Sequence, residues 1–268
     1  MASQRGDAVV GGSAAASDSS RSHDVWVVVE QHDGVPAEVS LELLGRAREL
    51  ADRLGVEVGA VLIGAGAALE DAATKLVARG ADTVFFVAHT DLSDYLAQPY
   101  TTVVTILIRE HEPQIVLYGA TSTGRDLAPR VASALRTGLT ADCTDLRIGD
   151  HSLKGEEYQD LLYQIRPAFG GNIIATIISP LHRPQMATVR EGVMVMPEED
   201  GRRAGRIIAV PVTRTKERIA VRDGVVLSDA DFVVTLVKRV QGEKRVDLKG
   251  ARVVVAGGVG VGDRKSVV

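Results

Sequence analysis

The sequence predicts an α/β fold of the doubly wound kind: a mostly parallel sheet with helices on both faces. Two observations predict it. The first two-thirds of the chain alternates aliphatic runs with amphipathic ones. The aliphatic runs are apolar at successive positions, which means burial on both faces, as in a parallel sheet covered by its crossover helices. Right-handed crossovers then give the layered, doubly wound arrangement.

The elements follow in order. "VWVVVE" (25–30) is a buried strand by its β-branched content. "VSLELLGRARELADRLG" (39–55) sets Leu43, Leu44, Ala47, Leu50, Ala51 and Leu54 on one helical stripe, with Gly55 as its C-cap. "VEVGAVLIG" (56–64) is the second strand, and "LEDAATKLVARG" (69–80) the second helix, ended by Gly80. "DTVFFVAH" (82–89) is the third strand. "YTTVVTILIREHEP" (100–113) reads as a third helix despite its β-branched residues, because Pro113 stands where a helix would stop. "QIVLYGA" (114–120) is the fourth strand and "GRDLAPRVASALRTG" (124–138) the fourth helix.

From about residue 141 the rhythm changes. "CTDLRIG", "DLLYQIRPA", "GNIIATIISP", "MATVRE" and "GRIIAVPVT" are short strands parted by Gly and Pro, expected to add antiparallel or edge strands. "EEDGRRAG" (198–205) is a solvated loop. "SDADFVVTLVKRVQ" (228–241) fits a strand or a helix equally. "LKGARVVVAGGVGVGDRKSVV" (248–268) reads as the opening strand and glycine turn of a further domain.

Composition narrows the function. The chain has 268 residues and a net charge of -4, which argues against a nucleic-acid partner. A single cysteine, Cys143, excludes a disulfide framework or a cysteine-based metal centre within one chain, and points to a reducing compartment, the cytoplasm. No apolar run approaches the roughly 20 residues of a membrane helix. Residues 1–23, rich in Ala, Ser and Gly, bury too little to offset ordering and are expected to be a flexible tail.

The most informative stretch is "GATSTGRDLAPRVA" (119–132). Thr121, Ser122, Thr123 and Gly124 make a small polar turn at the carboxyl end of a strand, the place where open α/β sheets hold ligands and partners. Asp126 is placed to cap the following helix or to favour its positive end. Pro129 falls in the first turn if that helix starts near Arg125 or Asp126. Two readings stand: a capped helix whose Arg125 and Arg130 are simply solvated, or arginines directed at an anionic or π-faced partner.

"RPAFGGN" (166–172) joins two apolar strands; it is an ordinary glycine corner with Phe169 in the core, or it aims Arg166 at an anion. "GGVGVG" (257–262) follows a strand as a dinucleotide turn does, but departs from G-x-G-x-x-G. The histidines show no metal spacing, the serines no nucleophile elbow, and Cys143 reads as a buried thiol. No catalytic constellation emerges, so the chain is not expected to be an enzyme.

"GATSTGRDLAPRVASALRTGLTADCTDL" and "RPAFGGNIIATIISPLHRPQMATVREGVM" together resemble the amino-terminal domain of the electron-transfer flavoprotein alpha subunit, nearest the clostridial type. "VWVVVEQHDGVPAEVSLELLGRARELA", "VVLSDADFVVT" and "DLKGARVVVAGGVGVG" agree, so the resemblance spans about residues 25–262. It implies an adenine nucleotide alpha hydrolase-like, Rossmann-like base domain over residues 24–245. Residues 246–268 are then the truncated start of an FAD-binding domain. The resemblance implies a heterodimer with a beta subunit carrying AMP or a second FAD, and electron exchange with dehydrogenase and acceptor proteins, including those of fatty acid beta-oxidation.

FAD belongs to the family complex, and this chain alone is expected not to bind it. Most of the flavin domain would lie beyond residue 268, and Val259 stands where the family has arginine in the glycine turn. Arg125 is then directed at a beta-bound flavin, Thr121 and Arg130 at the subunit interface, and Arg166 at either. Gly257, Gly258 and Gly260 are the remnant of the flavin-domain turn. The alternatives are a stand-alone adenine-nucleotide module and a non-functional fragment.

Overall fold

A computed structural model describes residues 23–168, 173–217, 224–238, 240, 251, 253–258 and 260. The chain divides into two compact units, Met1–Val234 and Thr235–Val268.

In the first unit, β1 (Val25–Val29) is buried at every position and is followed by a short hairpin of β2 (Gln31–His32) and β3 (Val35–Pro36). Then come α1 (Glu38–Leu54), β4 (Val58–Gly64), α2 (Ala68–Ala78) and β5 (Thr83–Ala88). A 3₁₀ turn (Thr90–Leu92) leads to α3 (Ala97–His111), β6 (Ile115–Gly119) and α4 (Ser122–Leu135). The later strands are β7 (Leu139–Cys143), β8 (Asp145–Leu153), β9 (Glu156–Pro167), β10 (Ile174–Ile177), β11 (Gln185–Val189), β12 (Arg206–Ala209), β13 (Val212–Thr215) and β14 (Val225–Ser228).

Seven strands form the main sheet in the order β12-β5-β4-β1-β6-β11-β7, with every pairing parallel. Because Cβ atoms alternate across a strand, β1 feeds two cores. Val25, Val27 and Val29 pack toward α1 and α2, while Trp26 and Val28 pack toward α3 and α4. The expected stripe of α1 is buried from Leu43 to Ala51, and Gly55 closes the helix at φ 70°. α3 begins earlier than expected, since Pro99 sits in its first turn where a missing N–H costs nothing, and it ends at left-handed Glu112 before Pro113 is reached.

The later strands do supply the edges: β7 and β12 flank the sheet. The antiparallel part forms a separate sheet, β10-β9-β8. One strand departs from expectation. "MATVRE" is neither antiparallel nor at an edge: as β11 it lies between β6 and β7, parallel to both. The excursion through the antiparallel sheet brings the chain back to the starting end of the sheet, the task a helix performs in other crossovers.

Beyond Ser228, which ends β14, the stretch 228–241 forms neither a strand nor an α-helix over its described residues. It makes one 3₁₀ turn, Asp229–Asp231, and Asp231 is buried there, accepting from Thr102 and Ser228. In the second unit, residues 253–256 are exposed and take no strand pattern, contrary to the sequence reading. An apolar strand is stable only when a ladder and a covering layer satisfy it. The tail up to residue 22 and the corner 169–172, including Phe169, Gly170 and Gly171, lie outside the described residues.

Candidate functional site

β1 leads to β4 on one side, whereas β6 and β11 build outward on the other. The strand order therefore reverses between β1 and β6, and the carboxyl ends of these two strands flank the crevice in which open α/β sheets hold ligands.

In this chain a carboxyl side chain fills that crevice. Glu30 follows β1, with its backbone N–H given to the buried Ser40 hydroxyl (2.9 Å) and its carbonyl accepting from Ala37 (2.8 Å). Its Oε2 accepts from the Thr121 hydroxyl at 2.6 Å. The same Thr121 oxygen accepts from the Gly124 N–H at 3.1 Å and so caps α4. Oε1 is buried with no hydrogen-bond partner. The space is tight enough to require glycine on both sides. A Cβ on Gly119 would lie 2.7 Å from Oε1, and one on Gly124 would lie 1.8 Å from the Gly119 carbonyl oxygen. Burial raises the Glu30 carboxyl above its ordinary range; the Thr121 bond opposes this and Glu191 adds to it.

This corrects two expectations for α4. The cap is Thr121, not Asp126, because the extended backbone at 121 (φ -82°, ψ -178°) aims its hydroxyl at the first turn. Asp126 lies inside the helix, where it accepts from the Tyr95 hydroxyl at 2.7 Å and from Arg130 at 2.9 Å. The Tyr95 bond, then Arg130, holds the Asp126 carboxyl below its ordinary value, while burial opposes them. Since the helix begins at Ser122, Pro129 is an interior residue and removes one hydrogen bond of the helical ladder.

The other sequence-predicted residues spread over this end of the sheet. Arg125 is 57% exposed and pairs with Asp142 at 3.1 Å. Asp142 sits at left-handed φ 60°, with its N–H on the Thr188 hydroxyl (3.0 Å). Arg166, on β9 opposite Ala175, is half-buried, and its charge acts on the Cys143 thiol. Burial outweighs that charge and pushes the thiol up to about 12. Thr121, Arg125 and Arg130 are thus gathered on α4, and Arg125 and Arg166 both adjoin the end of β7. Gly257, Gly258 and Gly260 belong to the second unit, exposed and outside any strand or α-helix; a Cβ on Gly258 or Gly260 would meet nothing within 4 Å. Sequence reasoning missed Glu30, Tyr95 and Asp142. Only Glu30 carried a visible signal, an acid standing directly after an unbroken apolar strand.

Chemically, the surface can bind and position. Among the described residues no group of three or more His, Cys, Asp or Glu could hold a metal ion, and no helix is long and apolar enough to cross a membrane. A nucleotide does not fit the switch-point crevice: its phosphates would meet the Glu30 carboxyl, and a glycine cradle is absent because Gly119 and Gly124 are spent on close packing. The exposed Gly257–Gly260 stretch forms no phosphate cradle over its described residues.

The fold and site define a doubly wound α/β scaffold whose ligand crevice is closed by its own side chains. A family model described as "Electron transfer flavoprotein domain" matches residues 25–215, and the chain belongs to that family. It is 42% identical over 239 residues to the electron transfer flavoprotein subunit alpha of Thermoanaerobacterium thermosaccharolyticum, covering 89% of this chain and 66% of that protein. It is 43% identical over 244 residues to the subunit alpha of Clostridium acetobutylicum, covering 90% and 66%. It is 38% identical over 239 residues to the lactate dehydrogenase (NAD(+),ferredoxin) subunit LctC of Acetobacterium woodii, covering 86% and 55%. The chain thus spans about two thirds of the length of the first two relatives.

Proposed function

We propose that this chain serves electron transfer as the base part of an alpha subunit in a heterodimeric electron-transfer flavoprotein. Residues 24–245 form the base domain and residues 246–268 the start of a flavin-binding domain. Its partner is a beta subunit, and the complex exchanges electrons with dehydrogenases and acceptors through FAD that the described residues of this chain do not hold. The observation that carries this reading is the identity of about 42% across 89% of the chain to a protein named as such an alpha subunit. The closed crevice supports it, since a scaffold whose ligand notch is filled by its own Glu30 side chain is suited to packing rather than to carrying a nucleotide.

The chain then works by position and charge. The exposed Arg125 and half-buried Arg166 offer guanidinium groups to a flavin on the beta subunit, where positive charge favours a reduced, anionic ring. Thr121 fixes the turn that carries Arg125, and Arg130 sits on the interface face of the same helix. The lone, buried Cys143 suits a reducing compartment such as the cytoplasm.

Co-expression with an electron-transfer flavoprotein beta subunit tests the reading. A stable one-to-one complex containing flavin is expected, with the chain purified alone being colourless. Failure to associate, or stoichiometric flavin on the chain by itself, overturns it.

A further inference from the structure

The Glu30 carboxyl has a role beyond closing the crevice. We propose that Glu30 is held as the neutral acid in the folded chain, with Oε1 donating toward the Gly119 carbonyl while Oε2 accepts from Thr121. Loss of that proton loosens the first turn of α4, which carries Arg125. The functional consequence rests on the proposed reading of Arg125; the device itself does not.

The two carboxyl oxygens are not equivalent. Oε2 has a donor, the Thr121 hydroxyl at 2.6 Å. Oε1 has none, and it is buried. A carboxylate needs donors at both oxygens, whereas a carboxylic acid needs one donor and one acceptor. The Gly119 carbonyl is the candidate acceptor: a Cβ on Gly124 would lie 3.2 Å from Oε1 and 1.8 Å from that carbonyl oxygen, so the two oxygens are no more than 5.0 Å apart. The protonated form therefore needs a donor at one oxygen only, whereas the ionised form leaves a buried charge with a single hydrogen-bond donor.

The surroundings reinforce this. From α1 the facing groups are the neutral Ser40 hydroxyl and the Val39 side chain, and from β6 and α4 they are Gly119, Thr121 and Gly124. From the loop after β11 comes Glu191, a like charge. The Tyr95 phenol senses Glu30 from the connection before α3, but carries no charge itself at neutral pH. No cation is among the influences on Glu30 from the described residues. The positive end of α4 favours a charge here, yet no N–H of its first turn bonds Oε1.

The linkage has a definite sign. The folded-state value lies above the unfolded one, so the contribution to stability is complete below the ordinary carboxylate value of 4.5 and is lost as pH rises through the folded value. Above it, the charged carboxylate turns toward water, Thr121 loses its acceptor, and the Thr121–Gly124 cap weakens.

Carboxyl-carbon NMR of the free, full chain, together with amide hydrogen exchange at residues 122–125, tests the device in wild type and Glu30→Gln. Glutamine reproduces the acid, with a donor and an acceptor. We expect the Glu30 carbon to titrate above 4.5. Protection of the α4 first turn, corrected for intrinsic exchange, should fall several-fold with the same midpoint, and Glu30→Gln should keep full, pH-independent protection. Titration at or below the ordinary value overturns the proposal. So does a loss of protection in Glu30→Gln at every pH, because that would make the ionised carboxylate the group that holds the turn. If Glu30→Gln does not fold, the wild-type titration and its match to exchange decide alone. No partner is present in either measurement, so this proposal and the heterodimer reading fail independently.

Discussion

Gly124→Ala is the sharpest perturbation of the switch-point notch. The new Cβ would sit 1.8 Å from the Gly119 carbonyl oxygen and 3.2 Å from Glu30 Oε1. Ordinary carbon–oxygen separations lie near about 3.3 Å, so α4 must retreat by about 1.5 Å. That breaks the Thr121–Gly124 cap bond, now 3.1 Å, at a cost of about 1 kcal/mol. Overpacking a tight site adds about 1–3 kcal/mol. Replacing a helical glycine by alanine returns about 1 kcal/mol. The net loss is therefore about 1–3 kcal/mol, a fall in Tm of about 2–12 °C for a unit of this size. Thermal and urea unfolding followed by circular dichroism measure it. Ser133→Ala, at an exposed position of the same helix, is the control and should be neutral or slightly stabilising. A Gly124→Ala variant as stable as wild type, or more so, would refute the packing argument.

Two further expectations concern the frame. Asp82, just before β5, ties the sheet to α1 and to the loop before β12 by accepting from Arg48, Arg203 and the Val58 N–H. Asp82→Ala removes the shared acceptor of two guanidinium groups, which keep Asp52, Val56 and Gly80 as partners, and strands the Val58 donor; it should lower the unfolding free energy by about 1–3 kcal/mol, seen as a reduced urea midpoint, and an unchanged midpoint would show that water replaces the aspartate at no cost. Cys143 is fully buried and its thiol is pushed up to about 12, so a thiol reagent at pH 8 should leave the native chain unlabelled and label it stoichiometrically in denaturant. Rapid labelling of the native chain would mean that the end of β7 opens readily.

Some of this architecture was legible residue by residue. The period of Leu43, Leu44, Ala47, Leu50 and Ala51 sets a helix face through local geometry alone, and the β-branched run Val25–Val29 sets a strand buried on both sides. Gly55 ends α1 for a reason contained in its own backbone freedom. That Thr121, Arg125 and Arg130 lie at the carboxyl end of β6 was legible, because a polar turn after a strand has a defined place in such folds. Asp142 was not, since its pairing with Arg125 joins residues 17 apart through a left-handed turn that no periodicity announces.

The sequence by itself determined that there are four helices between β1 and β7 and the strands β1, β4, β5 and β6 of the parallel core, because those depend on contacts between residues a few positions apart. Only the tertiary structure decided that β11 enters the sheet between β6 and β7, that Thr121 rather than Asp126 caps α4, and that Glu30 occupies the crevice. The strand order and the Glu30 contact depend on distant segments meeting, Glu30 and Thr121 lying 91 residues apart in the chain, whereas the Thr121 cap spans three residues and turns on the local backbone at 121. Such pairings are fixed by the packing of the whole sheet, which no local pattern of side chains encodes.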